Sequence, residues 1–207
     1  MCPSPDNVGV PDGAKLKVLV VDDEPTLRLG FAYALTGRHT LVETAATGRQ
    51  ALERISATDY DIIILDLRMP DLDGLAVIDA LRGTGNEVPV VLCSAALYPA
   101  AALRAIRNGV VDFLLKPVRP ADLRQIVELV VRPGNLPLPL AMQAARQGRI
   151  GDAIRILEKD ASRSAGARCW LAILRNLDGD GTSRETPPIE EQVGANLSAL
   201  AFNAPLP

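Results

Sequence analysis

The sequence is poor in aromatic side chains, with three Phe, three Tyr and one Trp among 207 residues. Hydrophobic residues make up 48% of the chain, so a sizeable core is possible, but it has to be built from Leu, Val, Ile and Ala. Histidine is almost missing. The single His39 lies in a polar stretch, which sets it aside as a catalytic or metal-ligating residue. Cysteine is scarce too. Cys2, Cys93 and Cys169 are odd in number and match no metal-ligand spacing, so they read as reduced thiols, with Cys93 filling core. No run approaches the length of a membrane span, and residues 1–13 lack the apolar stretch of a signal peptide. The expectation is a cytoplasmic protein without a membrane partner. Nor is there a cationic excess. Net charge is −3, which makes DNA an unexpected partner, because non-specific nucleic-acid binding rests on basic charge. Of the 22 basic and 25 acidic side chains, 8 of each fall in residues 133–207, which leaves 14 and 17 before them. The negative balance therefore belongs to the first 132 residues.

What is present is a rhythm. At roughly 100–200 residues per domain the length suits one domain with an appendage, or two small ones. After a leader, residues 1–14, expected to be disordered, short aliphatic runs alternate with amphipathic ones. The strands are read at Leu16–Val21, Thr40–Thr44, Asp61–Leu65, Val90–Cys93 and Asp112–Leu115. The helices are read from Pro25 to Leu35, from Thr47-Gly48 through Ile55, at Leu75–Leu81, at Pro99–Arg107 and at Pro120–Val131. Alternation of this kind predicts right-handed strand–helix–strand units and a parallel sheet with helices on both faces, an α/β fold.

In such sheets, sites gather where the strands end. The first strand ends at Asp22 and Asp23, the third at Asp66, the fourth at Ser94 and the fifth at Lys116. Converging carboxylates repel, so they either raise a pKa or recruit a cation. Oxygen donors without His or Cys favour Mg²⁺ over Zn²⁺. Lys116 and Ser94 complete a cradle for a tetrahedral anion, and an aspartate there can act as a nucleophile toward phosphorus. Each residue also has a plain structural reading. Asp22 and Asp23 could cap the first helix, Asp71 and Asp73 could be turn residues, Ser94 could be a helix cap, Lys116-Pro117 a surface turn and Phe113 core.

The set Asp22-Asp23, Asp66 with Met69-Pro70 and Asp73-Gly74, Ser94-Ala95 and Lys116-Pro117 resembles the receiver domain of two-component response regulators over residues 15–132. The resemblance implies a flavodoxin-like, doubly wound five-stranded sheet of order 2-1-3-4-5. It implies that Asp66 accepts a phosphoryl group from a sensor histidine kinase or phosphotransfer protein. Mg²⁺ would be bound by Asp23, Asp66 and the backbone carbonyl of Arg68, with Asp22 acting through water. Lys116 would bridge to the phosphoryl oxygens, and Ser94 would close on them while Phe113 turns inward as the switch aromatic. The resemblance also implies that Arg68 and Ala96 occupy positions that tune autodephosphorylation in the family. A homodimer through the fourth helix, fifth strand and fifth helix is a further implication, as is signalling to a downstream protein effector.

The remaining 75 positions are expected to hold a Pro-rich linker (133–139), a helical region (140–178) and a disordered tail (179–207). Helices are read at Leu140–Gln147, Asp152–Lys159 and Ala167–Leu177. Residues 144–159 loosely resemble the middle of a tetratricopeptide hairpin. One repeat cannot bury its own face, so the alternative is a small appendage packed on the first unit or on a second copy. Asp178-Gly179-Asp180-Gly181 has the start of a calcium loop but not its sixth-position Gly or closing Glu, and reads as a turn. The leading expectation is a phosphoacceptor signalling protein, not an enzyme. Its alternatives are a Mg²⁺-dependent phosphatase or phosphotransferase with an Asp nucleophile, and a transcriptional regulator with an unrecognised DNA-binding tail.

Overall fold

The computed structural model describes residues 15–96, 99–131, 137–160, 170–172 and 174–175. The expected leader and tail, the Asp178–Gly181 turn, Cys2 and Cys169 lie outside the described residues, as do residues 132–136 of the expected linker.

Among the described residues, five strands and seven helices follow in order: β1 (Leu16–Val21), α1 (Pro25–Leu35), β2 (Thr40–Ala45), α2 (Gly48–Ala57), β3 (Ile62–Asp66), α3 (Gly74–Gly83), β4 (Val90–Ser94), α4 (Pro99–Arg107), β5 (Asp112–Leu115), α5 (Pro120–Val131), α6 (Pro137–Arg146) and α7 (Ile150–Asp160). Residues 170–172 and 174–175 are helical as well. The strands form one parallel sheet of order β2-β1-β3-β4-β5, the doubly wound topology expected.

Burial explains the order. Every residue of β3 and β4 is buried, whereas β2 keeps partly exposed positions. The most aliphatic strands therefore take the centre. Each fully buried Ile, Leu or Val there contributes about 1.5–3 kcal/mol. Alternate side chains serve opposite faces. Val18, Val20, Ile62, Ile64, Val91 and Cys93 pack on α1 and α5 through Phe31, Leu35, Leu123 and Val127. Leu19, Ile63, Leu65, Leu92 and Phe113 pack on α2, α3 and α4 through Ala51, Ile78, Leu81, Ala105 and Ile106. Burial also raises the Cys93 thiol far above its ordinary pKa, so it stays protonated, as a core residue should.

Helix starts follow local chemistry. Thr47 accepts a hydrogen bond from the Gln50 backbone N–H at 3.1 Å, while Gln50 reaches back to the Ala46 N–H at 2.7 Å. Asp73 caps α3 through the Ala76 N–H at 2.7 Å. Asp71, expected as a turn residue, does more. Its carboxylate accepts from the Gly48 and Arg49 N–H groups, both at 3.1 Å, and so caps α2 from the loop after β3. The cap of α1 is Glu24, without a side-chain bond, so the capping alternative for Asp22 and Asp23 does not hold.

α6 begins at Pro137, three residues before the expected start. Pro lacks an N–H, and first-turn N–H groups have no partner inside a helix, so Pro137 and Pro139 fit the first turn and do not form a linker. α6 and α7 pack on each other, and Ala141, Met142, Ala145, Ala153 and Leu157 join the core on the α4 side of the sheet. Arg146 at the end of α6 donates from Nε to the Ile106 carbonyl of α4 at 3.1 Å. Trp170 is fully buried. Its Nε1 donates to Asp112 Oδ1 at 3.3 Å, and its ring meets Phe113 edge-on at 6.5 Å. The appendage is thus packed on the first unit.

Asp112, at the base of β5, is only 2% exposed. Burial raises its carboxyl to about 7, against hydrogen bonds from the Phe113 N–H and Trp170. A carboxyl whose folded pKa exceeds its unfolded one disfavours folding once the unfolded chain ionises. The penalty is absent below about pH 4, grows to about pH 7 and is constant above. Asp112→Asn keeps the acceptor oxygen and removes the charge. The variant's stability relative to the wild-type chain should therefore climb across that window, by at most about 4 kcal/mol. Denaturant melts at pH 4, 5.5, 7 and 8.5 measure it, and a difference that does not change with pH would refute the reading.

Candidate functional site at the carboxyl ends of the strands

Parallel pairing brings the strand ends to one rim. Val21 pairs with Leu65, Asp66 with Cys93 and Ser94 with Leu115. Asp22 follows β1, Asp66 and Ser94 close β3 and β4, and Lys116 follows β5. Carboxylate oxygens of Asp22, Asp23 and Asp66 lie within 4.8 Å of one another. Asp22 and Asp66 are buried, at 1% and 5% exposure, and Asp23 is open to solvent.

Lys116 supplies the counter-charge. Its Nζ stands 2.8 Å from Asp22 Oδ2 and 3.2 Å from Asp66 Oδ2. Burial alone would lower the lysine's pKa, but the hydrogen bonds and charges of Asp22 and Asp66 outweigh it and hold the ammonium above its usual value. For Asp66 the balance goes the other way. Burial lifts its carboxyl more than Lys116 and the Arg68 backbone N–H bring it down, and the charge of Asp22 adds to the lift. Two carboxylates therefore share one lysine, and for Asp66 that lysine does not offset the cost of burial.

The backbone holds this geometry. Lys116 N–H donates to the Ser94 carbonyl at 2.9 Å, tying the ends of β5 and β4 together, and the Lys116–Pro117 bond is cis. Asp22 Oδ1 accepts from the Glu24 N–H at 2.9 Å, and Arg28 donates to the Asp22 carbonyl at 2.7 Å. After β3 the chain folds back, with the Gly74 N–H on the Leu67 carbonyl at 2.9 Å. A Cβ at Gly74 would stand 2.4 Å from the Asp66 carbonyl oxygen. Only glycine lets α3 start against the residue that ends β3.

The other expected residues take these places. Ser94 is buried and engaged within its own loop, donating to the Ala96 carbonyl at 2.8 Å and accepting from the Ala96 N–H at 3.3 Å. The Arg68 side chain is exposed, next to Asp66 in the turn. Phe113 is buried at the other end of β5 from Lys116, beneath Trp170. His39 is exposed in the turn before β2. The sequence reading passed over Asp112, Trp170 and the reach of Asp71. The available signal for the first two was an acid opening an apolar strand and a lone Trp in a helical stretch, and neither announces its partner.

Three carboxylates with oxygen donors only, at a partly open rim, suit a hard divalent cation. Two buried carboxylates that share one lysine make that lysine costly to lose, since an uncompensated buried charge typically destabilises by about 3–5 kcal/mol. Lys116→Met should lower stability at neutral pH, and the deficit should shrink in acid as the carboxylates take up protons. It should also raise the Asp66 pKa further, which carboxyl-carbon NMR titration measures. A fall in that pKa would contradict the assigned balance of charge.

Among the described residues no helix is long and apolar enough to cross a membrane. Comparison with known proteins supplies the family. The positive alginate biosynthesis regulatory protein of Pseudomonas aeruginosa is 37% identical over 141 residues, which cover 66% of this chain and 55% of that protein. A protein-glutamate methylesterase/protein-glutamine glutaminase of Nocardioides sp. is 32% identical over 146 residues, covering 63% and 40%. The chain thus spans about half the length of the curated relatives it matches. The solved structure of the Vibrio cholerae chemotaxis protein CheY4 superposes with a TM-score of 0.54 at 30% identity, covering 56% of this chain and 99% of that one. The model of the response regulator receiver domain matches residues 18–128, and with a five-stranded 2-1-3-4-5 sheet and an acidic rim already in place, the chain belongs to the response regulator receiver family.

Proposed function

We propose that this chain is the phosphoacceptor of a two-component relay and that Asp66 is the residue phosphorylated. The observation that carries the reading is the shared lysine. Asp66 and Asp22 compete for Lys116, and Asp22 has Oδ1 tied to Glu24 and Oδ2 tied to Lys116. Asp66 is the less buried of the two, and burial raises its proton affinity. With both Asp22 oxygens engaged, the Asp66 carboxylate, whose contact with Lys116 is the longer one, is the nucleophile of the pair. In the transfer, an Asp66 oxygen forms a P–O bond as the P–N bond of a kinase phosphohistidine breaks, and the electron pair leaves with the imidazole nitrogen. From acetyl phosphate the departing group is acetate.

The chain's own residues stabilise the added charge. Lys116 can follow the phosphoryl oxygens without leaving the site, and the Arg68 N–H already points at Asp66. The Ser94 hydroxyl, now satisfied inside its loop, follows the Cys93 that pairs with Asp66 and is the donor to turn toward a new anion. Asp23, Asp66 and the Arg68 carbonyl are the groups that would hold Mg²⁺, with Asp22 alongside. The ion would offset phosphoryl charge that one lysine cannot neutralise.

The output is a change in protein contacts, with a sensor kinase or phosphotransfer protein upstream and an effector protein downstream. A homodimer through α4, β5 and α5 is harder to support. The α4 and β5 part of that face is covered by the chain's own helices. Incubation with acetyl phosphate and Mg²⁺ should add one phosphoryl group by intact mass, and Asp66→Asn should reduce labelling to background. Undiminished labelling of the variant would sink the assignment.

A further inference from the structure

β5 is a four-residue edge strand with a different task at each end. Past its last residue stands Lys116, held between Asp22 and Asp66. Its first two residues, Asp112 and Phe113, are the seat of Trp170. On one side β5 has β4, and its other edge pairs with no strand among the described residues. A shift of a short strand so placed moves both ends together.

The second contact is similar. α4 follows the loop in which Ser94 hydrogen-bonds, and α4 is the helix on which α6 docks, with Arg146 on the Ile106 carbonyl and Ala102 and Ala105 wholly buried. Two site residues, Ser94 before the loop to α4 and Lys116 at the end of β5, thus adjoin the two elements that the C-terminal helices grip.

We propose that the C-terminal helices are the receiver's own reader: Trp170 is docked on Asp112 and Phe113 while Asp66 is unmodified, and phosphorylation undocks it. The proposal rests on the phosphoacceptor reading of Asp66. The direction follows from packing. A phosphoryl group places its oxygens beyond the Asp66 carboxylate, so Lys116 moves outward from Asp22 and draws the end of β5 with it. Trp170, Phe113 and Asp112 are 0%, 1% and 2% exposed. A cluster packed that closely does not slide; it is kept or exchanged for another packing. The docked indole and the displaced strand are then alternatives, and each opposes the other.

The chain carries one tryptophan, so its fluorescence reports this contact without a label. In the full chain with Mg²⁺ and acetyl phosphate, emission should move to longer wavelength, and acrylamide quenching should rise several-fold in step with the labelled fraction by mass. Asp66→Asn should show neither change. Full labelling with unchanged emission and quenching overturns the proposal and leaves the acceptor reading intact. Absence of labelling overturns the acceptor reading first. A reciprocal arm uses Trp170→Phe, which keeps a ring and loses the Nε1–H donor. Its affinity for Mg²⁺ and beryllofluoride, a non-covalent phosphoryl analogue, should rise by a factor within the about 5–150-fold range of coupled sites. An affinity equal to that of the wild-type chain also overturns the proposal.

Discussion

The structure turns on one lysine that serves two buried aspartates. Asp22 and Asp66 come from β1 and β3, neighbours at the centre of the sheet, and Lys116 comes from β5 at its edge. Without that ammonium two carboxylates would sit side by side, nearly out of water, where desolvation alone raises the cost of either charge. With it, one pair is satisfied and the other is left short. The shortfall is useful. A group that adds negative charge at Asp66 finds a cation it can pull away from Asp22, and a group of hard oxygens that can take up a second cation. A fully compensated site would have nothing left to rearrange.

The same lysine explains why the sheet is built as it is. An ammonium can only span strand ends that stay in register, and register here comes from burial. β3 and β4 have no exposed face on which to slip, and a shift of one residue would turn Ile62 and Ile64 toward α2 and α3 and Ile63 and Leu65 toward α1 and α5. Gly74 then lets α3 begin against the Asp66 carbonyl, and Asp71 fixes that loop to the start of α2. The acid at the rim is thus held from behind by aliphatic packing and from the side by caps.

Much of this was legible in the chain. Strand runs such as Val18–Val21 and Ile62–Leu65 are unbroken because both of their faces are covered, and that pattern marks a parallel sheet. The polar residues that end those runs named the rim. Boundaries were less legible where two chemistries compete. Asp66 belongs to β3 and Asp61 does not: the Asp61 N–H donates to the Lys17 carbonyl, but the Lys17 N–H is taken by the Asp61 side chain, and paired residues begin at Ile62. Pro137 and Pro139 suggested a linker, but the first turn of a helix tolerates them equally. Asp22 looked like a helix cap, yet its carboxylate serves Glu24 and Lys116. Contacts across long separations had no local signature at all. Nothing near Asp112 announces a tryptophan 58 residues on, and nothing near Asp71 announces the start of a helix 23 residues back.

That long-range contact changes what the edge strand means. A sheet edge is normally a liability, managed by shortness or by a cover. β5 has both, being four residues long with Trp170 over its base. The cover is unlike the helices on the sheet faces, because it is attached to the strand that leads into Lys116, and it includes a carboxyl whose pKa burial raises to about 7. An Asp in that place is a poor choice for stability alone, since an apolar residue would bury without penalty. What it does supply is a directional acceptor for the indole N–H, so one hydrogen bond and one ring contact fix where the indole sits within the apolar cluster that the C-terminal helices share with α4 and β5. A docking of that kind is specific, because the acceptor and the ring fix one position of the indole. It suits a contact that a small displacement at the far end of a short strand has to break.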